Sequence, residues 1–260
     1  MVKPKIGLSM QYCLGEPFQK MTEHLPKAET SYIEIVDDGF HTLNKQRIAT
    51  LKDLGESYGL KYSVHAPFAD INIASQSKPM LKTMLKRVKE SIVHAHDLNA
   101  YAWIFHPGLK SGISMFYPGL DWLQNIESVQ SLSKIASDYD VKIAMENVPE
   151  PFPFLVKSVE DFKRFYDEIR EPIDLVLDIG HANINGQIEL FIKTFADRVV
   201  HIHAHDNDGK SDKHLGIGYG NVNWKNVADL LKQTSYDKVV IIESIEHVRD
   251  SLRKLKLLLA

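Results

Sequence analysis

Apolar and polar positions along this chain follow two rhythms that take turns. Short β-branched runs are each followed by a longer stretch in which apolar residues recur every three or four positions. The runs expected as strands are "KIGLSM" (5–10), "SYIEIVD" (31–37), "KYSVHAPF" (61–68), "AYAWIFHPG" (100–108), "VKIAMENV" (141–148), "IDLVLDIGH" (173–181), "RVVHIHAH" (198–205) and "KVVIIES" (238–244). Of the stretches between them, "SKPMLKTMLKRVKESIVHAHDL" aligns Leu81, Met84, Leu85, Val88, Ile92 and Ala95 on one helical face. "WLQNIESVQSLSKIASDY" and "VNWKNVADLLKQT" follow the same spacing, and "DSLRKLKLLLA" closes the chain as a helix. Eight strand–helix pairs with no linker between them predict one (β/α)8 TIM barrel, α/β in class, over residues 1–260. A doubly wound open sheet uses the same alternation with fewer repeats.

Active sites of such barrels lie where the strands end at their C-terminal face. Six consecutive predicted strands end in imidazoles or carboxylates: His65, His106, Glu146, Asp178 with His181, His203 with His205, and Glu243. The seventh run continues into Asp206, Asp212 and His214. A polar residue at one strand end needs no special explanation, because the chain meets water there. Six together point to nitrogen and oxygen donors for a divalent metal, best zinc, with manganese or iron as alternatives. Without a cation, so many converging ionisable groups would carry a large desolvation cost.

His201, His203 and His205 alternate with apolar residues and so share one face of their strand. His201 is expected deeper, as a hydrogen-bonded core residue. His203 is expected as a ligand, and His205 as either a metal or a substrate contact. His24, His41, His94, His96 and His247 are expected on the solvated surface. Phe68, His205, Asp206 and Lys210 are the positions expected to face the substrate. Lys210, Lys213 and Arg249 are candidates to contact a phosphate, against the plain reading of solvated charge. The segment "GIGYGN" (216–221) lacks the strand and lysine of a phosphate loop and reads as a turn that folds His214 back.

Composition narrows the class without deciding the chemistry. The chain has 260 residues, 44% hydrophobic and 25% charged, with a formal net charge of −3. That is globular, with no global attraction to nucleic acid or anionic membrane. The single cysteine, Cys13, ends the first strand, cannot form an intrachain disulfide and is expected as packing. No apolar run approaches membrane-spanning length, and the amino terminus lacks a signal-peptide core. A cytoplasmic protein with no membrane attachment is expected, and no protein partner is implied.

In order, "VHAP", "FHPG", "EN", "LDIGHA" and "DKHLGIG" resemble the xylose-isomerase-like barrel superfamily over nearly the whole chain. That group includes endonuclease IV and many sugar or sugar-phosphate isomerases and epimerases. The resemblance implies nine metal ligands: His65, His106, Glu146, Asp178, His181, His203, Asp212, His214 and Glu243. Departures from endonuclease IV are also visible. The loop "VDDGFHTLNKQR" lacks its DNA-penetrating pattern, Gly180 stands where a cysteine is common, and Leu109 replaces a serine. Phe68 stands in for the tyrosine that enters the duplex.

Two mechanisms follow from the resemblance. In phosphoester hydrolysis, two or three zinc ions bridged by Glu146 would activate a water. His181, Asp212 and His214 would then hold one ion against the phosphate of an abasic site in DNA or of a sugar phosphate. In isomerisation or epimerisation, Glu146, Asp178, His203 and Glu243 would hold one ion, and Glu146 and Glu243 would exchange a proton with substrate. His181 would then be a substrate contact. Hydrolysis comes first on count, since an isomerase needs four of the nine ligands.

Overall fold

The computed structural model describes residues 3–260. Eight parallel strands form the core: β1 (Lys5–Ser9), β2 (Tyr32–Val36), β3 (Lys61–His65), β4 (Trp103–Phe105), β5 (Ile143–Glu146), β6 (Asp174–Asp178), β7 (Val199–Ala204) and β8 (Val239–Ile242). They pair in chain order, and β1 closes onto β8, so the sheet has no edge. Around it lie α1 (Phe18–His24), α2 (Lys45–Tyr58), α3 (Lys78–Asp97), α4 (Leu120–Asp138) and α5 (Val159–Glu168). The ring continues with α6 (Ile179–Ile184), α7 (Ile188–Thr194), α8 (Trp224–Gln233) and α9 (Val248–Leu258). This is the expected single TIM barrel.

Each strand is shorter than its apolar run. Pro67 and Pro107 lack the N–H a ladder needs, and the chain turns directly from β6 into α6. The residues beyond the last ladder bond are therefore free to point onto the barrel mouth. Local chemistry sharpens the turns. Asn44 caps α2 through Arg47 N at 3.0 Å, Gly59 ends it at φ 66°, and Ser158 with Asp161 forms a capping box on α5.

The layer between sheet and helices is apolar. Trp103 and Phe105 stack at 5.3 Å, and Phe162, Phe165 and Phe191 are fully buried. On α3, Leu81, Met84, Val88, Ile92 and Ala95 are buried and Leu85 is partly so, as the spacing predicts. The register of β6 against β7 slips by one residue after Leu175↔Val199. The extra residue sets His201 opposite Val176 and His203 opposite Asp178, re-aiming the β7 imidazoles.

Two surface expectations are corrected. His41 is fully buried in a short 3-10 turn, with Nε2 3.1 Å from the Glu16 carbonyl, and burial lowers its pKa. His94 is half-buried, 3.5 Å from the buried Asp37 carboxylate that Arg87 also grips at 2.7 Å. In both cases packing from a neighbouring element covers a position whose own segment is polar. His96 and His247 are exposed, and His24 is half-buried. Among the described residues, no helix is long and apolar enough to cross a membrane.

Candidate metal centre

A fully buried carboxylate inside the barrel, Glu34 on β2, was missed by the strand-end reading because it sits mid-strand in "YIEIV". It accepts hydrogen bonds from Ser63 Oγ at 3.1 Å and His203 Nε2 at 3.3 Å. His201 Nε2 is 3.1 Å from the same carboxylate, off the line of a hydrogen bond. His201 is thus buried in the core as expected, but neither of its ring nitrogens makes the expected hydrogen bond. With its Nε2–H directed at Glu34, His203 turns Nδ1 toward the barrel mouth.

Above it, Glu146, Asp178, His203 and Glu243 bring one donor atom each within 4.8 Å of one another. They arrive from β5, β6 and β7 and from the residue after β8, and all four are buried. Asp178 doubles as the cap of α6, where its Oδ1 accepts from His181 N at 2.6 Å. That leaves Oδ2 over. Each member of the quartet retains one buried atom with no hydrogen-bond partner: Glu146 Oε2, Asp178 Oδ2, His203 Nδ1 and Glu243 Oε1. Orphaned buried acceptors are costly, and four of them on side chains that converge fit a divalent cation.

The electrostatics agree. Burial alone would raise the Glu146 carboxyl, but His203 and His106 hold it well below the usual range. Burial pushes the Glu243 carboxyl up to about 8, with Glu146 and Glu34 adding to the rise and His203 opposing it. Burial would lower His203, yet Glu243, Glu34 and Glu146 raise it well above its ordinary value. Four buried carboxylates therefore need positive charge among them. Three carboxylates and one imidazole supply that position for a hard or borderline ion.

Glu146 also faces three further imidazoles, His65 Nε2 at 3.4 Å, His106 Nε2 at 3.3 Å and His181 Nδ1 at 3.3 Å. His65 directs Nδ1 at the Ala66 carbonyl, 2.8 Å away, so its Nε2 is fixed on Glu146. Together His65, His106 and Glu146 form a second convergent group. A third gathers His181, His205, Asp212 and His214, again within 4.8 Å. All nine residues expected as ligands fall into these groups, and His205 joins them.

The remaining expectations divide. Phe68 borders the mouth, with its ring 5.6 Å from His65 and 5.9 Å from His106, and Phe154 packs on the other side of His106 at 5.7 Å. Asp206, expected at the substrate, is fully buried in its own loop. Its carboxylate accepts from Asn207 N, Gly218 N, Val222 N and Trp224 Nε1 at 2.9–3.0 Å, so no lone pair is left to face a substrate. Lys210 is exposed on the outer turn of that loop, and Lys213 is paired with Asp208 at 2.7 Å. Cys13 is buried, its thiol pushed up to about 12 by burial, which suits packing and not a nucleophile. The turn at 216–221 does fold the loop back: Asp206 and Leu215 bridge, and Gly218 has φ 78°.

A closed eight-stranded barrel with buried histidines and carboxylates at its C-terminal mouth defines a metal-dependent TIM-barrel class. The chain belongs to the xylose isomerase-like TIM barrel family, whose model matches residues 25–258. A functionally unassigned protein of Methanocaldococcus jannaschii is 31% identical over 98% of this chain and 88% of its own length. A probable endonuclease 4 of Aquifex aeolicus is 26% identical over 65% of this chain and 64% of its own length. The crystal structure of a D-tagatose 3-epimerase-like protein superposes with a TM-score of 0.92 at 31% identity, covering 98% of this chain and 97% of that one. A D-allulose 3-epimerase from Methylomonas sp. shares the fold with a TM-score of 0.81 at 19% identity, covering 100% and 99%.

Proposed function

We propose that this protein is a metal-dependent epimerase or isomerase of a ketose or ketose phosphate. This reverses the order suggested by counting ligands. The observation that carries the reading is the buried quartet, in which two glutamates from β5 and the end of β8 converge within 4.8 Å beside Asp178 and His203. The likeness to the D-tagatose 3-epimerase-like structure extends over 98% of this chain, whereas the endonuclease 4 relative matches 65% of it.

Glu146, Asp178, His203 and Glu243 would hold the ion, which when bound polarises a substrate carbonyl and its neighbouring hydroxyl. One glutamate takes the proton from the carbon beside the carbonyl. The other returns a proton to the opposite face of that carbon, which inverts it. Glu34 keeps His203 in orientation through the 3.3 Å bond to Nε2. Phe68 and Phe154 give the sugar an apolar wall to lie against, away from bulk water.

Proton exchange at the reacting carbon tests this directly. In deuterium oxide, protein loaded with manganese or cobalt is expected to place deuterium at carbon 3 of D-fructose, D-tagatose or D-psicose, or of their phosphates. Proton NMR reads the exchange, and Glu146→Gln or Glu243→Gln should reduce it about 100- to 10,000-fold. Absence of exchange on the whole panel, together with nicking of abasic-site DNA, would return the site to phosphoester hydrolysis.

A further inference from the structure

The quartet leaves a second set of donors unexplained. We infer that His181, His205, Asp212 and His214 form a closed metal site beside the quartet, one that anchors the loop after β7 and offers no coordination position to substrate. All four bring a ligand atom within 4.8 Å of one another. The three imidazoles are aimed in the same way. His181 Nδ1 is 2.8 Å from the Asn147 carbonyl, His214 Nδ1 is 3.0 Å from the Glu243 carbonyl, and His205 Nδ1 is 3.4 Å from the Asp206 carbonyl. Each ring thereby fixes its proton on Nδ1 and turns the Nε2 lone pair inward, the arrangement that orients imidazole ligands. The Nε2 atoms of His181 and His214 are 3.3 Å from Asp212 Oδ2, and that of His205 lies 3.5 Å from Asp212 Oδ1 and 3.1 Å from Asp178 Oδ1, where the set adjoins the quartet.

His205 is the residue that closes the set. It is fully buried, and both its Nε2 and Asp212 Oδ1 lack a hydrogen-bond partner. Its place depends on Gly180, because a Cβ built there would clash with the His205 ring, nearest at Cε1. The bare backbone at Gly180 and the imidazole at His205 are therefore one feature. Three protein donors leave a zinc ion open to a ligand, whereas four satisfy its tetrahedral preference and mark a structural site. Three nitrogens and one oxygen also make this set softer than the oxygen-rich quartet, so the two sites favour different ions. The donors come from α6, the end of β7 and the loop carrying Asp212 and His214. An ion here ties that loop to the barrel rim. The inference stands whichever reaction the quartet performs.

Cobalt(II) and zinc titrations of metal-stripped protein test it without using activity. The wild type should show the intense visible absorption of tetrahedral cobalt from one site, and hydrogen exchange in residues 206–223 should slow when zinc is added. His205→Ala is expected to weaken the band and lower zinc affinity at that site about tenfold or more. Glu243→Gln should leave the band in place. Circular dichroism establishes folding. If His205→Ala does not fold, Gly180→Ala displaces the ring by one methyl group and should cause the same losses. An unchanged cobalt spectrum and zinc affinity in either folded variant would overturn the assignment, as would loss of the band in Glu243→Gln.

Discussion

Glu34→Gln probes how the quartet is held from below. Glu34 touches no substrate in this account, but it fixes His203 through Nε2 and is itself fixed by Ser63, whose hydroxyl accepts a bond from Tyr101 OH at 3.1 Å. Glutamine keeps the volume and one acceptor oxygen, but it presents an amide N–H₂ to either His203 or His201, whose Nε2 atoms both lie near this carboxylate. One of the two rings must then turn or change tautomer. Loss of such a supporting partner typically weakens metal binding about 10- to 100-fold, or about 1.4–2.7 kcal/mol. Competition with a chromophoric chelator measures this at the quartet. Affinity at the His181–His205–Asp212–His214 group is an internal control, because general unfolding would weaken both sites. A folded Glu34→Gln variant with undiminished manganese affinity would refute the positioning role, and so would equal loss at both groups.

Other perturbations address the frame around the site. Asp37→Asn removes a fully buried carboxylate from Arg87, which it binds at 2.7 and 3.1 Å, and should cost about 3–5 kcal/mol in thermal unfolding. Burial would raise the Asp37 carboxyl, but His94 and Arg87 hold it below its ordinary value. Its stabilisation is thus present above the unfolded pKa of about 3.9 and lost as pH falls further. The stability gap between wild type and Asp37→Asn should therefore narrow below about pH 4, and a constant gap down to pH 3 would contradict this. Asp206→Ala removes the acceptor of four N–H bonds, each worth about 1.5–3 kcal/mol when made to a charged group. It should strip hydrogen-exchange protection from residues 206–223 while manganese still binds the quartet, and retained protection would show that the loop is held by other contacts.

Much of this architecture is legible in the chain because barrel sequences repeat one unit. Strand order follows chain order, so counting eight alternations is enough to close the sheet. The strand-end residues are legible for the same reason, since every strand points its C-terminal end at one mouth. Glu34 escapes that rule. It lies one strand earlier than the visible ligands, in the middle of an alternating run where a polar residue usually faces water, and only the curvature of the barrel buries it. The slip between β6 and β7 is also invisible, because an extra β-branched residue does not disturb the apolar pattern.

Asp206 shows the opposite failure. An aspartate in a ligand-rich loop looks chemical, yet here it supplies the loop's backbone with hydrogen bonds. His205 was ambiguous for want of a neighbour. Its role becomes readable only when Gly180, twenty-five positions earlier, is seen beneath its ring. Counting ligands put hydrolysis first, but the count does not discriminate, because the four donors that an epimerase needs are themselves one of the groups and share Glu146 with another.

Anomalous diffraction from crystals soaked in manganese tests the central claim most directly. The account predicts a peak enclosed by Glu146, Asp178, His203 and Glu243, with Glu34 bonded to the far side of the His203 ring. Full manganese occupancy elsewhere in the molecule with no peak among those four side chains would contradict it.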